Sequence, residues 1–262
     1  MSQLDGITIL CEGIDQGPDV RLLETARLAL KVSVALAGVV TFRPAGSKGD
    51  LRQTVKALQE VQPAVPVYAI RDRDFLIKPL LSEMRETAQR KPNEAAWPLS
   101  RHAIESYLIE PAFVEKALGM SGVAKLLEPL ASERLWHDAG RATLERAAYE
   151  ARHARPHLDE AIRDKSAVLG AIVAELGKWK TSIASLPSAS APEMVCGEFV
   201  EDFSLDPLWT RVDGKALLKA LGHALAHDGI LGALLHYAED SGPPEPLVVD
   251  VGLFIAGLAA KQ

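Results

Sequence analysis

The sequence predicts an α/β protein: a parallel sheet core followed by a helical accessory region. Three observations carry that expectation. Short, β-branched apolar runs recur through the first third. Amphipathic stretches of helical length separate them. After residue 110 the texture turns to Ala, Leu, Glu, Lys and Arg, with few strand formers. Apolar strands alternating with helices imply right-handed β-α-β units in a sheet covered on both faces.

The elements follow in order. Ile7-Thr8-Ile9-Leu10-Cys11 reads as the first strand and ends at Glu12-Gly13. Asp19 to Val34 has helical spacing, with Val20, Leu23, Ala26 and Leu30 on one face. Gly38 to Phe42 is the second strand, and Pro44 to Gly49 a loop rich in turn formers. Asp50 to Val61 forms a helix with Leu51, Val55 and Leu58 aligned. Val65 to Ile70 is a third strand, ending in Arg71-Asp72-Arg73-Asp74.

Residues 111–182 read as several helices, and Ser185 to Pro192 as a linker with two prolines. A short strand is expected at Val195 to Phe203. Asp213 to Ala226 reads as a helix with Asp213 as its N-cap. Pro243, Pro244 and Pro246 mark a turn before the apolar tail Leu247 to Leu258, which should be buried in a core or an interface. The expected organisation is a core at 1–110, a helical accessory region at 111–185, and a segment at 193–262 that completes the fold and the site.

Composition sets the function classes. Hydrophobic residues make up 48% and charged residues 24% of the 262 positions, which excludes a disordered chain. The net charge is −6, from 29 basic and 35 acidic residues. Proteins that grip nucleic acid unaided are usually basic, so a nucleic-acid enzyme of this charge would use a local basic stripe or a partner. Two cysteines, Cys11 and Cys196, without a CxxC, exclude a disulfide framework or a cysteine-built zinc site. Cys11 reads as a small core residue. The N-terminus has no basic, apolar leader, and no run reaches the roughly 20 apolar residues of a membrane span. A cytoplasmic protein is expected.

The chemistry-bearing residues are acids at strand ends, where parallel α/β sheets form their ligand sites. Glu12 ends the first strand; Asp72 and Asp74 end the third. Two residues apart in extended backbone, Asp72 and Asp74 would project to one side and reach one cation. Hard cations such as Mg²⁺ take oxygen ligands and keep several waters, so two or three carboxylates suffice. Caps and solvated loop acids are the plain alternative.

Glu12-Gly13 after one strand and Asp72-Arg73-Asp74 after another resemble the Toprim pattern, a Rossmann-like core found in topoisomerases, bacterial-type primases and nucleases of the overcoming-lysogenization-defect family. The resemblance covers about residues 5–110. Trp97 to Leu108 (WPLSRHAIESYL) is similar to a segment of the Toprim nucleases of phage-defence systems, whose Ile-Glu-x-Tyr-Leu element adds a metal-site Glu. In this sequence that residue is Glu105. The resemblance implies Mg²⁺ or Mn²⁺ held by Glu12, Asp72, Asp74 and Glu105. His102 and Glu105 are spaced to share a helix face, with Ile104 and Leu108 on another. A second acid common in the first motif is not matched: Asp15-Gln16 stands there.

Two lysines are candidates for stabilising charge on a scissile phosphate. Lys48 lies in the loop after the second strand. Lys215, in Asp213-Gly214-Lys215, resembles the Gly-Lys that opens a late helix in the same nucleases. Either reads equally as a solvated loop lysine. No Walker A motif is present, since Gly214-Lys215 and Gly177-Lys178 lack the upstream glycine and following Ser or Thr. His223 and His227 have metal-like spacing, but Ala224 stands where HExxH needs Glu. His153 and His157 are separated by Pro156. Arg71 and Arg73 flank the acids and either reach phosphate or pair with them.

The function expected is a metal-dependent endonuclease on DNA or RNA, tRNA included. By resemblance it is the effector of an anti-phage system, held by an ABC-type ATPase partner and open to forming a homodimer. No topoisomerase tyrosine and no primase zinc module accompany the motifs. The alternatives are a Toprim fold without chemistry, serving as an interaction subunit, and a phospho-receiver-like module, which would require paired acids at the first strand.

Overall fold

The computed structural model describes residues 6–30, 39–46, 48–63, 65–76, 78–91, 94–151, 157–179, 192–202 and 206–259. Strands β1 (Ile7–Cys11), β2 (Val40–Pro44), β3 (Val67–Arg71) and β4 (Trp97–Pro98) form one parallel sheet in the order β2-β1-β3-β4. Helices α1 (Pro18–Leu30), α2 (Lys48–Val61) and α3 (Lys78–Arg90) make the crossovers. The α/β expectation therefore holds. The second and third strands lie one to two residues later than their sequence patterns suggested, and β4 is an addition.

Side-chain alternation explains the covered faces. Ile7, Ile9 and Cys11 of β1, with Tyr68 and Ile70 of β3, join α1 in the main core. Leu10, Val67 and Ala69 point the other way, onto Leu51 and Val55 of α2. Strands buried on both sides read as continuous apolar runs, which β1 and β3 do. The edge strand β2 alternates, exposing Thr41 and Arg43. Because β2 pairs on one side of β1 and β3 on the other, the strand order reverses between β1 and β3. At such a switch point the crossovers diverge and a crevice opens at the strand carboxyl ends.

Helices α4 (Pro111–Leu118), α5 (Val123–Ala151) and α6 (Lys165–Gly177) form the expected helical region. Residues 192–202 depart from expectation: they are helix α7 (Pro192–Asp202), not a strand. Val195, Cys196 and Phe199 are its buried residues, and Cys196 and Phe199 pack in a second core with Ala139, Leu144 and Ile172. Residues 185–191 of the predicted linker Ser185 to Pro192 lie outside the described residues, and Pro192 itself opens α7.

Asp213 caps α8 (Gly214–Ala224) as expected, its carboxylate accepting from the Lys215 and Ala216 N–H groups. Helix α9 (Ile230–Ser241) follows, and the apolar tail is α10 (Glu245–Ala259). Leu247, Val251, Phe254, Ile255 and Leu258 of α10 enter the main core, with α1 alongside. No described helix is long and apolar enough to cross a membrane.

Candidate metal and phosphate site

Four carboxylates and one lysine gather at the β1/β3 switch point. Glu12 follows β1, half-buried, where Gly13 turns the chain at φ +107°. Gly13 exchanges two backbone hydrogen bonds with Gly46, at 2.9 and 3.1 Å, tying the β1 and β2 loops together. A Cβ on Gly13 would lie 2.8 Å from Asp19 Oδ2. Glycine is thus required twice, for the positive φ and for the carboxylate packed behind the turn. Asp19 stands in the first turn of α1, buried at 8% exposure. Asp72 follows β3 and Glu105 lies in a 3-10 turn, Ile104–Tyr107; both are buried. Glu12, Asp19 and Asp72 line one small crevice with Cys11, Ile70, Leu99 and Ile104.

Lys215 reaches these acids from the solvent side. Its Nζ lies 3.6 Å from Glu105 Oε1 while its side chain keeps 57% exposure. The close approach depends on Gly214, the first residue of α8: a Cβ there would fall 2.0 Å from Ser106 Oγ. The helix start is pressed directly onto the Glu105 turn.

The electrostatics are those of crowded like charges. Burial raises the Asp72 carboxyl well above its ordinary range, and the charges of Asp19, Glu105 and Glu12 raise it further, with Lys215 opposing. Burial also raises Asp19 and Glu105, again against Lys215. Burial works against the Lys215 charge, but Glu105, Asp72, Asp19 and Asp213 outweigh it, so its ammonium is strengthened. Even the Cys11 thiol registers the cluster: burial, then Asp19, Asp72 and Glu12, push it up to about 12. Glu105 Oε2 is buried without a hydrogen-bond partner. Among the described residues, no three His, Cys, Asp or Glu side chains converge, as they stand, on a single ion position. Lys215 is a cationic side chain positioned against this cluster.

Several sequence-predicted positions differ from expectation. β3 ends at Arg71, so Asp72 and Asp74 do not alternate along an extended strand. Asp74 adopts φ +52° and pairs with Arg71 Nη2 at 2.6 Å, while Asp72 turns inward. Arg73 does not face a phosphate path. It is 2% exposed and donates to the carbonyls of Ser100 and Arg211 at 2.7 and 3.2 Å, bracing the loop beneath the site. His102 and Glu105 do not share a helix face, because the segment is a buried 3-10 turn rather than an amphipathic helix. The His102 ring instead meets Phe75 edge-on at 4.4 Å, and burial lowers its basicity. Lys48 opens α2 beyond the β2 loop; its side chain lies outside those described.

Asp19 was not anticipated as a site residue. In sequence it is an ordinary acid at a helix start, and only the Glu12-Gly13 turn brings it inward. Asp250 was missed as well. Buried on α10, it accepts hydrogen bonds from Ser100 N at 2.5 Å, Ser100 Oγ at 2.6 Å, Arg85 Nη2 at 2.8 Å and the Tyr107 hydroxyl. It fastens both ends of the 100–107 segment that carries Glu105.

A scan of protein-family models finds no match to this chain, and no curated protein matches it.

Proposed function

We propose that this protein is a Mg²⁺- or Mn²⁺-dependent phosphodiester hydrolase of Toprim type, an endonuclease on DNA or RNA. The observation that carries the reading is the gathering of Glu12, Asp19, Asp72 and Glu105 around Lys215 at the sheet's switch point. Three features support a divalent cation there. The donors are all hard carboxylate oxygens. The proton affinities of Asp19, Asp72 and Glu105 are raised, as expected of buried acids crowded without sufficient positive charge. Glu105 also keeps a buried oxygen unbonded. Glu12, Asp19, Asp72 and Glu105 would hold the ion, and Asp74, paired with Arg71, would sit at the rim.

When bound, such an ion would activate water for attack and offset charge on the phosphoryl oxygens. The chain's own residues do the rest. Lys215, charged and half exposed, offers an ammonium to the non-bridging oxygens of a phosphate placed at the mouth of the crevice. The Ser100–Asp250–Tyr107 clamp keeps Glu105 in register, and the apolar walls of Ile70, Leu99 and Ile104 exclude bulk water from the acids. The net charge of −6 fits an effector that shares its grip on nucleic acid with a partner. The Toprim phage-defence resemblance makes that partner an ABC-type ATPase, in an anti-phage setting within the cytoplasm.

Incubating the full chain with plasmid DNA and with total tRNA, in Mn²⁺ or Mg²⁺, tests the reading. Metal-dependent cutting by the wild type that disappears in Glu12→Ala is the expected result. Cutting that persists in Glu12→Ala places the chemistry elsewhere.

A further inference from the structure

The helical region contributes one side chain beside the site to which no motif points. Asp138 lies on α5 and is fully buried, at 0% exposure. Its Oδ1 takes Arg134 Nη2 at 3.2 Å and His137 Nδ1 at 3.0 Å. Its Oδ2 accepts from the backbone N–H of Asp213 at 2.8 Å. Burial alone would raise this carboxyl, yet the His137 hydrogen bond, the Arg134 guanidinium and the Asp213 N–H outweigh it and hold it ionised.

Asp213 is the N-cap of α8, and Lys215 follows two residues later. On the opposite side, Gly214 abuts Ser106 with no room for a Cβ. The first turn of α8 is thus clamped between a buried anion on α5 and the turn bearing Glu105. We propose that Asp138 is a positioning residue: through the Asp213 N–H it fixes the start of α8 so that the Lys215 ammonium stands among Asp19, Asp72 and Glu105. A carboxylate suits this task because hydrogen bonds to an ionised acceptor are about twice as strong as neutral ones. The inference rests on Lys215 being part of the proposed site, and couples the helical region to that site.

Competitive acetylation of the full chain with trace acetic anhydride, read by peptide mass spectrometry, tests the role without any nuclease assay. In the wild type, Lys215 is expected to react more slowly than the exposed Lys125, because its ammonium is held 3.6 Å from Glu105 Oε1. Asp138→Ala is expected to raise Lys215 labelling relative to Lys125 by about threefold, the order expected when a part-exposed ion pair is lost. Asp138→Asn should act in the same direction with a smaller change, and serves if the alanine variant does not fold. Arg134→Met removes another partner of the same carboxylate without touching the Asp213 N–H. It should lower the melting temperature while leaving Lys215 labelling at the wild-type level. Unchanged labelling in a folded Asp138 variant overturns the proposal, as does an equal rise in Arg134→Met. The expected pattern in a protein that cuts no nucleic acid would support the positioning role while counting against the nuclease reading.

Discussion

Tyr107→Phe deletes a single buried oxygen from the clamp that holds Glu105. Tyr107 is fully buried, and its hydroxyl donates to Asp250. Burial, then the Asp250 charge, raises the hydroxyl well above its ordinary value, so it remains a donor throughout the accessible pH range. Phenylalanine preserves the ring and its packing, and Asp250 keeps Ser100 and Arg85 as partners. The loss is therefore one hydrogen bond to a charged acceptor, worth about 1.5–3 kcal/mol, together with a longer contact to Ser100 Oγ at 3.3 Å. Taking about 2 kcal/mol, the melting temperature of a chain this size should fall by about 4–8 °C. Urea denaturation would give the free energy directly, with the m value unchanged because the exposed surface is the same. Ser100→Ala should couple to Tyr107→Phe by about 0.5 kcal/mol or more in a double-mutant cycle, since both serve one carboxylate. A loss below about 0.5 kcal/mol, within the ordinary scatter of surface substitutions, would refute the clamp.

The raised carboxyls of Asp19, Asp72 and Glu105 bind protons more tightly folded than unfolded, so stability in EDTA should fall as pH rises above their ordinary values of 3.8 and 4.5. Asp72→Asn should then raise the melting temperature near pH 8, with the gain shrinking towards about pH 4. Melting curves that show no pH-dependent gain would contradict the crowding argument. Gly13→Ala forces a side chain onto a positive φ and against Asp19. A destabilisation of about 1–3 kcal/mol by urea titration is expected, and a neutral result would mean the turn relaxes freely. Cys11, with its thiol pushed up to about 12, should resist a thiol-exchange reagent in the native protein and react once denaturant is added. Rapid native labelling at Cys11 would rule out the buried, anionic surroundings.

The parts of the site legible in the sequence are those where one short run determines both element and function. Ile7 to Cys11 must be a buried strand, so Glu12-Gly13 falls at its carboxyl end. The same logic places Asp72. Asp213 announces a helix start because a short acceptor there satisfies otherwise open N–H groups, and Lys215 follows. What the sequence hid depends on tertiary packing. Asp19 looks like any acid in a first helical turn until Gly13 folds it inward. Asp74 leaves the expected face because the strand stops at Arg71, which captures its carboxylate. Trp97–Pro98 is too short for a periodic signal and becomes a strand by pairing with Ile70 and Arg71. Residues 195–202 mix β-branched and small residues that resemble a strand, but packing against α5 selects the helical period. Asp138 and Asp250 bond to partners 75 and 150 residues away, at Asp213 and Ser100, and no local pattern encodes such pairings.

Mn²⁺ binding followed by electron paramagnetic resonance asks whether the crowded acids hold a divalent cation. Saturable loss of the free Mn²⁺ signal is expected with the wild type, sharply weakened in Asp72→Asn and in Glu105→Gln. Asp74→Asn, altering the carboxylate paired with Arg71, should bind closer to wild type than either. Wild-type binding retained in Asp72→Asn would mean that the acids at the switch point do not hold the cation.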